Sequence, residues 1–521
     1  MDSTLINALR DLLQRESGQP VALVQTHISW VLLTASHAYK LKKPVHLPFV
    51  DFSSVVARKH FCEEELRLNQ RFAPALYVDV VPFCGTPTSP CIGGTDAPID
   101  HLVRMRRFPD GALLHELLVS GSPAPALIEG LGRRLAAWQA TAERADPAAE
   151  HGSPAQILRA ATDVVSRLTQ QRWPAAEQEV WLAALNLWVR ERGAALRSDW
   201  AQRQQSGAVR ECHGDLHTGN VVLIDGELTA FDCIEFDTAL RWIDVINDVA
   251  FLTMDLKAHG RADLASRFLD AWIEHSGDHA GLPVLRFYEV YRALVRALAS
   301  RLAERMDAAL DYLRCAQQLA QAPESGARLL ITHGLSGSGK STIAAQLLAE
   351  TGAVRVRSDV ERKRLFGLAP LDRSAAAGLA IYGEDATRQT FARLHECARE
   401  ALLAGYPVIV DAAFLRAAER RQFEDLAGEL GLPFAILDCQ ADVQILRRRV
   451  AERQAAGSDA SEAGPAVLEM QLERHEPLNE HEQALAIVVR TDDKVDIPAL
   501  AARWRGVRPA PASASGAACE G

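Results

Sequence analysis

The eight residues Gly334-Leu335-Ser336-Gly337-Ser338-Gly339-Lys340-Ser341 constrain this chain more than any other stretch, because an apolar run (328–332) precedes them and an amphipathic one with Ile343, Leu347 and Leu348 comes after. Strand, glycine-rich loop and helix in that order aim backbone N–H groups and a helix N-terminus at one point, an arrangement that suits phosphate. Glycine lets the backbone turn sharply and come close to its ligand. Gly334, Gly337, Gly339, Lys340, Ser341 and Thr342 are therefore the expected ATP contacts, with Lys340 reaching the outer phosphates and Ser341 on Mg2+.

Beyond the loop, apolar strands and helices alternate to about residue 505, the pattern of a parallel sheet with crossover helices. One strand, 354–359, ends in Asp359 and is followed by Arg362; another, 408–411, ends in Asp411. Arg447, Arg449 and Arg453 lie on a late helix, and the last two share a face, as phosphate-clamping residues would; a solvated basic face is the alternative. Ala322-Pro323-Glu324-Ser325-Gly326 reads as a linker, and the Pro/Ala/Ser-rich end, 506–521, as a disordered tail. Two unlike domains are expected, 1–322 and 326–505.

With 521 residues, one small domain is excluded. The balance of 57 basic and 67 acidic residues, net −10, argues against a nucleic-acid partner. Nine scattered cysteines, none in CxxC spacing, read as reduced thiols of a cytoplasmic protein. No apolar run reaches the length of a membrane span, and the first residues form an amphipathic helix (Leu5, Leu9, Leu12, Leu13) rather than a signal peptide. Oligomeric state is left open. Only eight of the 57 cations are lysine, and three of those cluster at Lys40, Lys42 and Lys43. A compact ammonium suits a phosphate oxygen where a broad guanidinium fits differently.

Residues 27–33 and 38–42 read as strands, 58–72 as a helix, 102–106 as a strand, and 113–321 as mostly helical around a β-hairpin near 221–232. Before that hairpin stands His213-Gly214-Asp215-Leu216-His217-Thr218-Gly219-Asn220. Asp225-Gly226 is a hairpin turn, and pairing about it sets Asn220 opposite Phe231 and beside Asp232. An amide oxygen and a carboxylate then meet where they can share Mg2+, while Asp215 faces the same cavity to steer a hydroxyl. Lys40, mid-strand, and Glu65, on the following helix, complete the set as ATP contacts; Lys42 and Glu64 remain alternates. Asp244 and Asp248, four apart, read as braces for the 213–220 loop, and Met105 as either an adenine contact or core.

In these residues the first 320 positions resemble the aminoglycoside phosphotransferase and choline-kinase branch of the protein-kinase-like fold. The resemblance implies an α+β domain with a small β-rich lobe and a helical lobe. No GxGxxG precedes Lys40, so phosphate cover must come from residues 33–38, and Gln139 stands where many relatives have His. The second half resembles small P-loop kinases of the polynucleotide kinase, zeta toxin and gluconate kinase type, implying an α/β P-loop domain with a parallel sheet. There Asp359 would be the base, Arg362 a substrate contact and Asp411 a metal ligand, with a helix cap the alternative for Asp411. Over nearly its whole length, including Tyr39-Lys40-Leu41-Lys42-Lys43-Pro44, Asp232-Cys233-Ile234-Glu235-Phe236 and Asp459-Ala460-Ser461-Glu462-Ala463, the chain resembles bacterial proteins that fuse two such domains. The expectation is a bifunctional phosphotransferase moving the γ-phosphate of ATP, with Mg2+, to hydroxyl groups of small molecules. Alternatives are one kinase with an ATP-binding regulatory domain, or an aminoglycoside-modifying kinase; the family name describes fold and is not evidence of substrate.

Overall fold

The computed structural model describes residues 3–47, 50–86, 88–94, 97–121, 123–321, 326–374, 381–456 and 459–509. Linker residues 322–325 and the tail from 510 onward lie outside them. The chain packs as two compact units, one of Met1–Arg172, Asn186–Asp255 and Tyr291–Leu298, the other of Trp173–Leu185, Leu256–Val290 and Ala299–Gly521. The motifs change at the linker, but the packing groups Leu256–Val290 with the P-loop region.

The first unit is built on an antiparallel sheet in the order Ala22–Gln25, Ser29–Leu33, His37–Lys42, Asp100–Arg106, Tyr77–Thr86, Ser89–Ile92. Successive side chains of His37–Lys42 point to opposite faces. Leu41 joins Leu5, Leu9 and Leu13 of the helix Ser3–Ser17 in one apolar layer. Ala38 joins Cys62, Val103 and Met105 in the other, so Met105 packs in the core. Lys40 and Lys42 share the second face, toward the helix Val55–Gln70, whose buried Arg58, Cys62, Glu65 and Asn69 recur at helical spacing. A Ser54 side chain accepting the Ala57 N–H starts that helix.

Val221–Ile224 pairs with Glu227–Ala230 in the register Val221 to Ala230, as the Asp225-Gly226 turn requires. The loop before it is pinned by buried carboxylates of the helix Val245–Ala258. Asp248 accepts from the His213 and Gly214 N–H groups (2.8 and 2.9 Å), and Asp255 from the Thr218 N–H and hydroxyl (2.8 and 2.6 Å). Asp244 is not on that helix; it ends the strand Trp242–Asp244 and pairs with Arg203 at 2.6 Å. Gly214 has φ 85° and its missing Cβ would stand 2.6 Å from the Leu240 carbonyl oxygen, so only glycine fits there.

The second unit holds a five-stranded parallel sheet, ordered Val354–Arg357, Pro407–Asp411, Arg328–His333, Phe434–Gln440, Ala486–Arg490. The three inner strands, Pro407–Asp411, Arg328–His333 and Phe434–Gln440, are mostly apolar, as burial on both faces demands, whereas the edge strand Val354–Arg357 alternates valine with arginine. On one face the helices Lys340–Thr351 and Ile497–Gly506 bury Ile343, Leu347, Leu500 and Trp504 against Leu330, Leu437 and Ile487. Elsewhere Phe414 and Phe423 meet edge to face at 5.1 Å, with Phe391 5.3 Å from Phe414. Strand Val354–Arg357 is two residues shorter than its sequence suggests, because Ser358 opens the helix Ser358–Leu365 and Asp359 falls in its first turn. Arg355, buried on this edge strand, pairs with Asp270 (2.7 Å) and Glu274 (2.9 Å) of the helix Ala262–Ser276, and Arg357 reaches Glu274 at 3.3 Å.

Candidate active sites

In the first unit the strand and helix deliver Lys40 and Glu65 to one point, and the hairpin delivers Asp232. Lys40 Nζ donates to Glu65 Oε1 at 2.8 Å and to Asp232 Oδ1 at 2.6 Å. Burial alone would lower the pKa of this ammonium, but Asp232 and Glu65 outweigh it and raise it well above the ordinary value. Burial likewise opposes ionisation of Glu65, and Lys40 with Lys42 overcomes it, holding the carboxyl well below its usual range. Lys42, fully buried, donates to Glu65 Oε2 at 2.7 Å and to Glu235. Glu65 thus engages both lysines, while Glu64 turns to Arg67 at 2.9 Å.

Lys42 therefore separates two buried carboxylates. Removing one partner of such a set leaves an uncompensated charge. Lys42→Ala is expected to lower the unfolding free energy of this unit by about 3–5 kcal/mol, read as a shifted urea midpoint. A loss under about 1 kcal/mol would show the ammonium to be dispensable.

Asn220 Nδ2 donates to the Asp215 carbonyl oxygen (3.0 Å) and to Asp215 Oδ2 (3.2 Å), and its own backbone carbonyl accepts the Phe231 N–H (3.0 Å). Oδ1 of Asn220, the atom a cation would need, is engaged by none of these. Burial would raise the Asp215 pKa, but His217 and Arg296 hold the carboxyl far below its usual range. His217 Nε2 lies 3.5 Å from Asp215 Oδ2 and 3.0 Å from the Arg296 guanidinium. Asp232 has φ 61°, a left-handed conformation uncommon for aspartate, and its N–H donates to the Tyr77 hydroxyl at 3.2 Å. Asp215, Asn220, Asp232, Lys40 and Glu65 are thus one constellation. Tyr77, Glu235 and Arg296 belong to its surroundings; Glu235 lies in the 232–236 segment, and the other two carry no motif of their own. Gln139 donates to the Val245 carbonyl at 3.0 Å, and Thr34 and His37 close the turn at 33–38.

In the second unit Gly334, at φ 137°, leaves no room for a Cβ, which would lie 2.5 Å from the Cys439 carbonyl oxygen. Gly339, left-handed, caps the helix Lys340–Thr351 that carries Ser341 and Thr342. Lys340 Nζ sits over the loop, donating to the Gly334 and Leu335 carbonyls at 2.8 and 2.9 Å. Burial lowers its pKa, opposed by Asp411 and Asp359 and reinforced by Arg453. Arg449 reaches the Gly337 carbonyl at 3.4 Å and is fixed by Thr491 at 2.7 Å. Arg453 donates to the Ala463 carbonyl at 2.8 Å, while Arg447 turns to an exposed pair with Glu469.

Asp411 Oδ2 is buried without a hydrogen-bond partner, 3.9 Å from Arg355 and 3.7 Å from Arg357. A buried carboxylate oxygen left without a hydrogen bond beside a phosphate loop fits a residue kept for Mg2+ or its water. Asp359 is half-buried one turn before Arg362, whose guanidinium lies 5.2 Å from the Tyr382 ring and donates to the Ile381 carbonyl at 2.9 Å. Burial lowers the Arg362 pKa, and Asp359 opposes that. Sequence patterns also missed a cavity of about 610 Å³ beside Gly334, Leu335 and Ser338, where His333 Nδ1 meets Asp438 Oδ1 at 2.7 Å.

The sequence profile of the Phosphotransferase enzyme family matches residues 56–288, and that of an AAA domain matches 329–478. Uncharacterized proteins of Mycobacterium tuberculosis (strain ATCC 25618 / H37Rv) and Mycobacterium bovis (strain ATCC BAA-935 / AF2122/97) are each 30% identical to the chain over 451 residues, covering 84% of it and 87% of themselves. The chain belongs to their two-domain family. It joins a phosphotransferase-family, kinase-like region to a P-loop kinase domain, and so carries two kinase-type domains of the kind that use ATP with a divalent metal. Among solved structures, a choline/ethanolamine kinase family protein from Mesorhizobium loti is 14% identical, covering 61% of this chain and 96% of its own, TM-score 0.38. A gluconokinase from Sinorhizobium meliloti 1021 is 20% identical, covering 34% and 89%, TM-score 0.25. Among the described residues no helix is long and apolar enough to cross a membrane.

Proposed function

We propose that this two-domain chain is an ATP-dependent phosphotransferase with two nucleotide sites, each passing the γ-phosphate to a hydroxyl group of a small molecule in the cytoplasm. The observation that carries the reading is Lys40, held between Glu65 and Asp232 beside the Asp215–Asn220 pair. Phosphoryl transfer passes through a loose transition state, so positioning and charge do most of the work. Lys40 supplies a fixed cation to phosphate oxygens, and Glu65 keeps it in place. Asp215, ionised at neutral pH, orients the acceptor hydroxyl and takes its proton as the new P–O bond forms and the bond to ADP breaks. Asn220 and Asp232 would hold Mg2+ at this site, and Ser341 and Asp411 at the other, where the ion neutralises phosphate charge. In the second unit Lys340, Arg449 and Arg453 bear on the phosphates, Asp359 on the acceptor hydroxyl, and Arg362 on the rest of the acceptor.

A second reading, one kinase with an ATP-binding regulatory domain, draws on Gln471, whose side chain accepts the Ser336 N–H at 2.8 Å and so occupies a loop amide that phosphate would use. The deciding experiment incubates the full chain with ATP, Mg2+ and a panel of hydroxylated metabolites and aminoglycosides, reading ADP release and phosphorylated acceptor by mass spectrometry. Two acceptor classes support the first reading and one supports the second. ADP release without any phosphorylated acceptor across a broad panel refutes transfer to a small-molecule hydroxyl.

A further inference from the structure

Within the second unit, three donor side chains outside the phosphate site converge from separate elements. His279 opens the turn His279–Gly281, Glu361 lies on the helix Ser358–Leu365 and Cys397 on the helix Glu384–Leu403. Their ligand atoms all lie within 4.8 Å of one another, and the residues are 2%, 2% and 0% exposed. His279 Nδ1 stands 3.3 Å from the Gly277 carbonyl oxygen, which places the proton on Nδ1 and the lone pair on Nε2. Nε2 is buried and has no hydrogen-bond partner. A polar atom is seldom left so in a native interior, because its lost hydration is not repaid.

The other two donors are held as metal ligands commonly are. Cys397 Sγ is 3.9 Å from Glu361 Oε2, and Glu361 is fixed by Arg364 at 3.2 Å and by Arg393 at 3.3 Å. The His279–carbonyl contact is the outer-shell bond that orients a ligating imidazole. We propose that His279, Glu361 and Cys397 bind one transition-metal ion, Zn2+ by donor type. Imidazole nitrogen with thiol sulfur selects such an ion over Mg2+ or Ca2+, and one carboxylate oxygen is compatible with it. Tetrahedral zinc keeps its donors roughly 3.3–3.8 Å apart, so small side-chain rotations close the site. Binding displaces the Cys397 proton to solvent and leaves the fourth position to water. The ion ties the turn after the helix Ala262–Ser276 to two helices around the sheet edge. Asp359 lies two residues before Glu361, on a different side of the same helix, so the metal would set the orientation of the helix that carries it.

The test uses the full chain stripped of metal and titrated with Co2+. The expected result is a near-ultraviolet thiolate-to-cobalt absorption that saturates at about one equivalent and is displaced by Zn2+. Cys397→Ser and His279→Ala should each abolish the saturable band, while Cys91→Ser, at an exposed thiol, should keep it. Co2+ at an oxygen-only Mg2+ site gives no such band. No band in the wild-type protein, or an undiminished band in correctly folded Cys397→Ser by circular dichroism, overturns the assignment.

Discussion

Asp215→Asn should leave ATP affinity at the first site within about twofold of wild type and cut phosphoryl transfer there by ~10² to 10⁴. The substitution preserves size and the loop's anchors, since Asp248 and Asp255 hold His213, Gly214 and Thr218 by backbone groups that it does not touch. It removes the charge that His217 and Arg296 keep ionised, and with it the acceptor for the hydroxyl proton. ATP contacts through Lys40 and Glu65 are unaffected, so the loss should appear in kcat rather than in nucleotide binding. The measurement belongs in the full chain carrying Lys340→Ala, which silences the second site. Turnover above about a third of the parent's would remove Asp215 from the reaction.

The second pair of substitutions separates nucleotide from acceptor in the other unit. Lys340→Ala, in a full chain carrying Asp215→Asn, should weaken ATP binding and reduce transfer together, by ~10² or more, because the ammonium serves the phosphates in both ground and transition state. Asp359→Asn in the same background should spare ATP binding and remove transfer by a similar factor. Calorimetric titration gives the first quantity and product formation the second. Transfer that survives Asp359→Asn but not Lys340→Ala would move the base elsewhere. If neither substitution changes any transfer by the full chain, the P-loop unit is a nucleotide-binding regulator.

How much of the fold and of the two sites is legible in the sequence depends on how local each signal is. The glycine loop, the 213–220 segment and the Asp225-Gly226 turn are contiguous, and the register of Val221–Ile224 against Glu227–Ala230 is set by turn geometry alone. The face shared by Lys40 and Lys42 comes from strand periodicity, and Glu65 from the buried stripe with Arg58 and Cys62. The strands Ala22–Gln25 and Tyr77–Thr86 escape a sequence reading; the second carries Pro82 and Gly85, which weaken any strand signal. Nor does any spacing announce Tyr77, Arg296 or Asp438, whose partners lie far off in sequence. A buried ion pair is a tertiary fact, and its halves look like ordinary surface residues until the chain folds.

The pairing of Arg355 with Asp270 and Glu274 bears on how such a chain could have been assembled and how it can be taken apart. The join most visible in the sequence, near 322–326, is not where a transplantable module would begin. A fragment starting there keeps the phosphate loop but strands a buried guanidinium without its counter-ions, and loses His279 as well. Arg355 without Asp270 and Glu274 would be a buried charge without its two nearest counter-ions, which is costly in an interior. Swapping one relative's P-loop half for another's would therefore carry a hidden requirement: the helix Ala262–Ser276 must travel with it.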